Sequence, residues 1–395
     1  MKFEEFNLSP QLMDAIDEIG IKEPTQIQEL SIPHIISGKD VIGESATGSG
    51  KTLAFGCGVI DNIVPGKGLQ ALILAPTREL AEQIKVMLKQ LSYKKQIRIT
   101  SIYGGVSITP QIRDLSRADV AVATPGRLLD HIQRKTINTS RISLLVLDEV
   151  DCMFDMGFID DVERIIRSCP PKKQLLCFSA TISQNIKRLA NRHMREPIEV
   201  SAKKHVDPAK LKQAYYDVPR ALKLSLLVHL LSQKSEGLSM IFCNTRHTVD
   251  FISKNLHANK IRSVSIHGGL SQNKRTNTME IFNRGEVNVL VCTEVAARGL
   301  HIENVAHIYN YDIPKDAKDY VHRIGRTARA GEEGEVINIL SEQDYDNFRR
   351  IKSEYREFSI LKLEKPYIQR VNAIMEQPFR RQSFQRNSFH RYNRY

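Results

Sequence analysis

The chain lacks the features of three broad protein classes. Its six cysteines are scattered and form no CxxC pair, which excludes a disulfide framework and a cysteine zinc site. No apolar run approaches membrane-spanning length, and the first residues, MKFEEFNLS, do not have the pattern of a signal peptide. We therefore expect a soluble, cytoplasmic protein with reduced, buried thiols and no membrane partner.

Acidic residues, lysine and aliphatic side chains are absent from residues 378–395, which carry five arginines among aromatic and small polar residues. Such a stretch has nothing from which to build a core, so we expect disorder. The whole chain has a formal charge of +12, which favours polyanionic partners, nucleic acid first. Charge alone is also compatible with an indifferent basic surface.

The length of 395 residues, with 41% hydrophobic residues, suits two globular domains with additional segments. Apolar strands alternate with helical patterns in two series, which predicts doubly wound parallel sheets in tandem. The first series of predicted strands is Val41–Gly43, Ala71–Ala75, Ile99–Tyr103, Val120–Ala123, Leu144–Leu147, Leu175–Phe178 and Ile198–Val200. The second is Ala214–Val218, Ser239–Phe242, Ser263–Ile266, Val289–Val291, Ala306–Tyr309 and Glu335–Ile339.

Changes in this pattern set the predicted boundaries. Helices and turns are expected over residues 1–40, the first domain over 41–201, a linker over 202–212 and the second domain over 213–365. A charged terminal helix is predicted over 342–360, and a flexible tail rich in arginine and aromatic residues over 366–395.

A glycine-rich loop, SATGSGKT, lies between the first predicted strand and a helical segment. Its backbone N–H groups and the helix N-terminus suit a polyphosphate. Lys51 would reach the outer phosphates, and the Thr52 hydroxyl would ligate Mg²⁺. The strict nucleotide-loop pattern has glycine where Ser45 stands, so the loop taken alone could be an ordinary turn.

Compact polar clusters follow most of the apolar strands, and ligands of open α/β sheets bind at the carboxyl ends of strands. Asp148 and Glu149 follow one strand, where one carboxylate would hold Mg²⁺ and the next would polarise water. A helix N-cap is the alternative for such acids. Arg326 and Arg329 would share a helix face and act as arginine fingers on a γ-phosphate, although such a pair is more often a solvated surface.

Taken in order, these motifs resemble those of the DEAD-box ATP-dependent RNA helicases over residues 3–331. The nucleotide loop, PTREL, TPGR, DEVD, SAT, QxxR, TxxxARG and HRIGRTAR are all present. The resemblance implies two tandem RecA-like domains, with residues 1–40 as an adenine-recognition segment. It also implies ATP and Mg²⁺ as cofactors, RNA as partner and a monomeric core.

Carried over to this chain, the family's nucleotide site implies a set of residues with distinct roles. Gln28 would read the adenine edge and Phe3 would pack on the base. Asp151 would link to Ser179 or His322, and Ser179 with Thr181 would couple hydrolysis to strand separation. The nucleotide-binding set is Phe3, Thr25, Gln28, Ser45, Ala46, Thr47, Gly48, Ser49, Gly50, Lys51 and Thr52. The catalytic set is Lys51, Asp148, Glu149, Asp151, Ser179, Thr181, His322, Arg326 and Arg329, with Thr52 and Asp148 at the metal.

The resemblance also implies an RNA surface shared by the two domains. Arginines, hydroxyls and backbone amides suit phosphate contacts, which position a strand without reading its sequence. The first domain would contribute Pro76, Thr77, Arg78, Gly105, Thr124, Gly126 and Arg127. The second would contribute Arg246, Gln272, Arg275 and Thr293.

The activity implied is local, ATP-dependent unwinding of short RNA duplexes. An ATP-gated RNA clamp or annealing chaperone with little net unwinding is the alternative, and a DNA helicase of the same general fold is a third. The sequence names no target RNA, because a surface that contacts backbone phosphates carries no sequence information.

Three positions of the second domain depart from the family pattern. Gly269 stands where HGD has aspartate, Glu294 where TD has aspartate, and His301 where ARGxD has the aspartate expected to contact the ribose of ATP. Histidine lacks a fixed negative charge there.

We expect His301→Asp to lower the KM for ATP and raise the RNA-stimulated rate, because it restores that charge. Steady-state ATPase assays measure both parameters. If neither parameter changes, the departure at position 301 does not weaken ATP binding.

The arginine-rich tail is the second feature open to a direct test. As an RNA tether it would place arginines on phosphates and aromatic rings on bases; as a solvated tail it would do neither. Deletion of 378–395 should then weaken RNA affinity and flatten its salt dependence while ATP affinity stays unchanged. An unchanged RNA affinity at low salt would contradict the tether.

Overall fold

A computed structural model describes residues 2–46, 48–202, 211–233, 237–298, 300, 302, 305–327 and 334–374. The expected tail from 375 onward, most of the expected linker, and Thr47, His301 and Arg329 lie outside the described residues. None of the helices in the described part of the chain has the length and apolar character required to cross a membrane.

The first half of the chain folds around a seven-stranded sheet in which every strand pairing is parallel. The strand order is β3-β4-β2-β5-β6-β1-β7. Its strands are β1 (Val41–Ser45), β2 (Ala71–Leu74), β3 (Ile99–Ile102), β4 (Val120–Ala123), β5 (Leu144–Leu147), β6 (Gln174–Ser179) and β7 (Ile198–Ala202). The central strands are buried on both faces, as their continuous apolar sequences predict.

Helices cover both faces of this sheet and enclose one hydrophobic cluster on each side. They are α1 (Pro10–Ile19), α2 (Gln26–Ile36), α3 (Lys51–Asn62), α4 (Arg78–Leu91), α5 (Ile108–Leu115), α6 (Pro125–Gln133), α7 (Val150–Asp155), α8 (Ile159–Ser168) and α9 (Gln184–His193). The N-terminal segment belongs to this core, because Phe3, Leu12 and Ile27 are buried in the same cluster as the strands. The helix α1 ends at Ile19, and its C-cap residue Gly20 has a left-handed conformation.

A second seven-stranded sheet follows, again with every pairing parallel and with the order β10-β11-β9-β12-β13-β8-β14. Its strands are β8 (Leu211–Asp217), β9 (Leu238–Cys243), β10 (Val264–Ile266), β11 (Val289–Thr293), β12 (Val305–Asn310), β13 (Gly334–Leu340) and β14 (Ile360–Lys362). Its helices are α10 (Lys223–Gln233), α11 (Arg246–Ala258), α12 (Gln272–Asn283), α13 (Glu294–Ala297), α14 (Ala317–Ile324) and α15 (Tyr345–Glu354). The prediction of two doubly wound parallel sheets is confirmed.

The end of the second domain differs from the sequence-based prediction. The helix expected over 342–360 ends at Glu354, and β14 then pairs with β8 at the edge of the sheet. Residues 366–374, expected to begin the flexible tail, pack on the second domain instead. Ile368 and Val371 contact its apolar cluster, and the Ile374 amide donates to the Asn255 side chain at 2.8 Å. Apolar burial, too sparse to show as a pattern, orders this segment.

A buried arginine joins the strand ends of the second domain. The guanidinium of Arg323 is hydrogen-bonded to Glu294 after β11, to Asn310 and Asp312 around the end of β12, and to Asn244 after β9, at 2.7–3.1 Å. The side chain is 1% exposed. Each of these groups would lose a hydrogen-bond partner if the arginine were removed.

We expect Arg323→Met to lower the free energy of unfolding by about 3–5 kcal/mol, because it removes the guanidinium that is hydrogen-bonded to one carboxylate and two amides in a buried cluster. Urea unfolding of the full chain measures the change. Arg349→Met is the matched control, since the Arg349 side chain is 78% exposed and its ion pair, with Asp346, lies on the surface. Equal shifts in the two variants would contradict a stabilising role for Arg323.

Candidate functional site

The phosphate loop joins the end of β1 to the start of α3. Gly48 and Gly50 have φ angles of 80° and 92°, and a Cβ on Gly50 would lie 2.3 Å from Nε2 of Gln28. The Lys51 Nζ donates to the Ser45 carbonyl at 3.1 Å, so the ammonium group lies over the loop. The predicted loop residues that the structure describes are Ser45 at the end of β1, Lys51 and Thr52 at the start of α3, and Ala46, Gly48, Ser49 and Gly50 between them.

The N-terminal segment is hydrogen-bonded to this loop. Gln28 donates to the Gly50 carbonyl at 3.0 Å and accepts from the Thr25 amide at 2.9 Å, while the Thr25 hydroxyl donates to the Ser49 carbonyl at 2.7 Å. Both ends of the Gln28 amide are therefore engaged, and reading of adenine by Gln28 stays a prediction. Phe3 is 3% exposed and packs edge-on against Phe6, so stacking on a base also stays a prediction and requires the ring to become exposed.

The acidic cluster begins at the end of β5. Burial raises the pKa of Asp148 to about 7, with Glu149 acting in the same direction and Lys51 opposing it. Glu149 has a φ angle of 51°, a left-handed conformation that is unfavourable for a residue with a side chain. The backbone conformation is held by the Glu149 amide, which donates to Asp148 Oδ1 at 3.0 Å.

Asp151 connects this cluster to the end of β6, although not through the predicted partners. Its Oδ2 accepts hydrogen bonds from the amides of Ala180 and Thr181, each at 3.1 Å. The Ser179 hydroxyl donates to the Thr181 carbonyl at 2.8 Å instead. Among the described residues neither Ser179 nor His322 is hydrogen-bonded to Asp151, so a link from Asp151 to one of them stays a prediction. The turn after β6 presents its backbone N–H groups to the carboxylate, which leaves the serine hydroxyl to close the turn.

The donor groups on the first domain fit a magnesium ion. Asp148 and Thr52 offer a carboxylate and a hydroxyl, the hard oxygen ligands that Mg²⁺ prefers. Asp148 is 2% exposed, and its raised pKa shows that this buried carboxylate lacks full compensation by positive charge. A divalent cation bound beside it would supply that compensation.

A second cluster of possible ligands lies on the second domain and does not suit a cation. Glu294, Asp319 and His322 bring one ligand atom each within 4.8 Å of one another. Arg323 contacts Glu294 at 3.0 Å, and Arg298 contacts Asp319 at 2.5 Å and Glu294 at 3.6 Å. These guanidinium groups neutralise both carboxylates, so Glu294 serves an ion-pair network. Glu294 is one of the three second-domain residues that depart from the family pattern, and in this structure it pairs with Arg323 and Arg298.

The predicted arginine finger Arg326 follows α14 and is 5% exposed. Its Nη1 donates to the Leu300 carbonyl at 2.6 Å. This bond ties the arginine to the segment that precedes residue 301. Its predicted partner Arg329 lies outside the described residues.

Most of the predicted RNA-binding residues line one cleft between the two domains, with a volume of about 510 Å³. The predicted residues on its walls are Pro76, Thr77, Arg78, Thr124, Gly126, Arg127, Gln272 and Arg275. Gly105 lies beside it, since a Cβ there would lie 2.1 Å from Arg78 Nη1. Thr293 is the N-cap residue of α13, and Val295 of that helix lines the cleft.

Three arginines, Arg78, Arg127 and Arg275, line this cleft together with the acids Glu79 and Asp130. Burial lowers the pKa of Arg78; the charge of Glu79 opposes this shift, and the charges of Arg275 and Arg127 act in the same direction as burial. The Nη1 atom of Arg127 is buried and has no hydrogen-bond partner among the described residues. A buried donor without a partner is unfavourable, and the oxygen of a bound phosphate could accept a hydrogen bond from it.

Side-chain contacts cross the cleft at Glu79. Its Oε1 accepts from Arg275 Nε at 2.7 Å and from Gln272 Nε2 at 3.1 Å, while Arg78 Nη1 donates to the Gln272 side chain at 3.2 Å. The second connection is an ion pair of 3.0 Å between Arg298 and Asp155. The two domains are thus in contact through charged groups next to the predicted RNA surface.

The sequence analysis did not identify two interdomain contact residues, Glu79 and Arg298, or the buried Arg323 as functional residues. Glu79 and Arg298 lie within the quoted motifs PTREL and TxxxARG, but the motifs do not show that they face the other domain. Arg323 lies in HRIGRTAR between predicted site residues, and only the three-dimensional structure separates its buried, structural role from theirs.

Comparison with known proteins agrees with this geometry. The family model "DEAD/DEAH box helicase" matches residues 25–189, and the model "Helicase conserved C-terminal domain" matches residues 222–331. The chain is 43% identical over 354 residues to the ATP-dependent RNA helicase CshA of Listeria monocytogenes, covering 89% of this chain and 68% of that protein. The DEAD-box ATP-dependent RNA helicase CshA of Bacillus subtilis is 43% identical over 353 residues, covering 89% and 72%.

Solved structures give the same result. Dbp5 of S. cerevisiae bound to RNA and ADP BeF3 matches with a TM-score of 0.83 and 29% identity, covering 92% of this chain and 95% of that one. Mss116p bound to ssRNA and AMP-PNP matches with a TM-score of 0.83 and 28% identity, covering 92% and 79%. By its domain models and by its identity to these relatives, the chain belongs to the DEAD/DEAH box helicase family.

Proposed function

We propose that this protein is an ATP-dependent RNA helicase that binds single-stranded RNA in the interdomain cleft and locally unwinds short duplexes. The observation that carries the proposal is the pairing of two sites. A phosphate loop lies beside an acidic strand end, and an arginine-lined cleft lies between the domains. The relatives named as ATP-dependent RNA helicases support the same activity.

ATP binding is assigned to the loop after β1. The backbone N–H groups of the loop and the N-terminus of α3 would bind the phosphates, and Lys51 would leave the Ser45 carbonyl to reach them. Thr52 and Asp148 would hold Mg²⁺, which neutralises charge on the phosphates when it is bound. Glu149, fixed by its unusual backbone conformation, would orient or deprotonate the attacking water.

Transmission of the nucleotide state is assigned to Asp151. This residue lies two positions after Glu149 and is hydrogen-bonded to Ala180 and Thr181. A shift of the acidic cluster would therefore move the turn after β6. Ser179, Thr181, His322, Arg326 and Arg329 are proposed to take part in this coupling.

RNA binding is assigned to the cleft. Its arginines and the loops at the strand ends would contact backbone phosphates, so binding would be independent of sequence and sensitive to salt. Closure of the domains around ATP and RNA would bend one strand and so disrupt a short duplex, and ATP hydrolysis would release it. The contacts of Glu79 and Arg298 support this motion, because they place charged, exchangeable partners at the domain boundary.

The proposed domain division is an adenine-recognition segment 1–40, a first domain 41–201, a linker 202–212, a second domain 213–365 and a tail 366–395. The N-terminal segment, the phosphate loop and the acidic strand end then belong to one folded unit.

A cytoplasmic location is also part of the proposal. It is supported by the six cysteines, which are all buried and free.

The proposed activity is tested by ATP turnover with and without single-stranded RNA, followed by displacement of one strand from a short RNA duplex. We expect stimulation by RNA, no stimulation by DNA, and displacement that requires ATP. Stimulated turnover without displacement would support an ATP-gated clamp instead. Stimulation by DNA would overturn the RNA assignment.

Glu149→Gln should reduce ATP hydrolysis by at least a hundredfold and leave ATP and RNA binding within about threefold, because it removes a base or water-orienting group and no phosphate ligand. Single-turnover hydrolysis and fluorescence titrations measure these two effects. Glu199→Gln on the exposed edge of β7 is the control and should match the unaltered protein. A hydrolysis rate close to that of the control would remove Glu149 from the mechanism.

A further inference from the structure

Arg246 is placed to bind an anion on the second domain. It is the first residue of α11, a helix of thirteen residues that begins just after β9, and its side chain is exposed. The helix N-terminus adds partial positive charge at the same point. Over 211–233, 237–298 and the other described ranges, the structure gives the Arg246 guanidinium no hydrogen bond and no ion pair.

A nearby acid that would suit Arg246 is held elsewhere. Asp250 lies one turn along the same helix, at the spacing at which arginine and aspartate normally pair. Its Oδ1 instead contacts Nε2 of His267 at 3.1 Å. Since Nδ1 of His267 accepts from the Gly269 amide at 3.1 Å, the ring proton lies on Nε2 and is donated to Asp250.

Gly269 is the second element of this arrangement. A Cβ at position 269 would lie 3.5 Å from Nη1 of Arg246 and 3.1 Å from two atoms of the His267 ring. An acidic side chain there would reach the guanidinium directly. Glycine leaves this space open, next to Gly268 and Leu270, which line the interdomain cleft.

We propose that Gly269 and the His267–Asp250 pair determine how strongly the second domain binds RNA. Glycine at 269 places no carboxylate beside Arg246, and His267 holds the Asp250 carboxylate away from Arg246. This inference rests on the proposed function, since it assumes that an RNA phosphate is the anion. The Arg246 guanidinium can bind either a carboxylate or a phosphate, so an acidic side chain at 269 would compete with an RNA phosphate for it. Gly269, His267 and Asp250 are thus positioning residues.

The test compares Gly269→Asp with Gly269→Asn in the full chain. The two side chains are nearly identical in size and press equally on His267, so they differ in charge alone. Affinity is measured with a fluorescent oligouridine and a nonhydrolysable ATP analogue over a range of salt concentrations. We expect the Kd of the aspartate variant to be roughly three- to tenfold higher than that of the asparagine variant at low salt. The difference should disappear at high salt, and the slope of log K against log salt should fall by about 0.7, the value for one phosphate contact on a single strand.

Arg246→Gln completes the comparison. In this background aspartate and asparagine at 269 should give the same Kd, because the charge has no guanidinium to neutralise. Persistence of the difference would mean that the acid repels RNA without acting through Arg246. Equal Kd values for the two variants in the presence of Arg246 would overturn the proposal.

The role of the His267–Asp250 pair is tested in the same assay. His267→Phe releases Asp250 and should raise the Kd, and addition of Asp250→Asn should restore it, because the freed charge is then removed. A loss that Asp250→Asn does not reverse is structural and contradicts this role. If the unaltered protein binds no RNA, the proposed function fails; if it binds RNA and the charge-matched variants agree, only this inference fails.

Discussion

Parallel strand pairing is the constraint on which the rest of this molecule depends. Parallel strands need a crossover after each strand, so all the carboxyl ends of a sheet lie at one edge, where the crossovers begin. Backbone N–H groups, helix N-termini and short polar loops are therefore concentrated at that edge of each sheet. Two such edges, one from each half of the chain, form the walls of the cleft that contains Arg78, Thr124 and Arg275.

Polar and charged groups buried at the strand ends need partners of opposite charge or hydrogen-bond partners close by. In the second domain Arg323 is such a partner, because one buried guanidinium satisfies groups after three different strands. In the first domain the balance is incomplete: Asp148 is buried with a raised pKa, and Lys51 compensates it only in part. A fully satisfied cluster stabilises the fold, whereas an incompletely satisfied cluster suits a site that receives a charged ligand.

The interdomain contacts show how the two edges depend on each other. Glu79 contacts Arg275 and Gln272, which belong to the predicted RNA surface, so an RNA phosphate bound there would compete with Glu79 for the same donors. Arg246 is the opposite case, since its neighbouring acid is held by His267 and position 269 is glycine. The second domain therefore carries donors that already contact the first domain, Gln272 and Arg275, and one donor, Arg246, that is kept available beside the cleft.

Sequence alone determined the two parallel sheets and the position of nearly every strand, because these depend on apolar periodicity. The predicted residues that line the cleft came from the resemblance to a family and not from any pattern along the chain. The sequence missed β14 and the docking of residues 366–374, whose apolar residues are too few to form a pattern and are ordered by the surface they cover. It also does not give the hydrogen-bond partners of Asp151, because a motif states which residues converge and not which atoms bond. Only the tertiary structure decided that Arg323 is internal while Arg246 is exposed, and that Glu294 serves an ion-pair network. Those outcomes depend on which side chains from distant segments meet, and no local pattern along the chain encodes them.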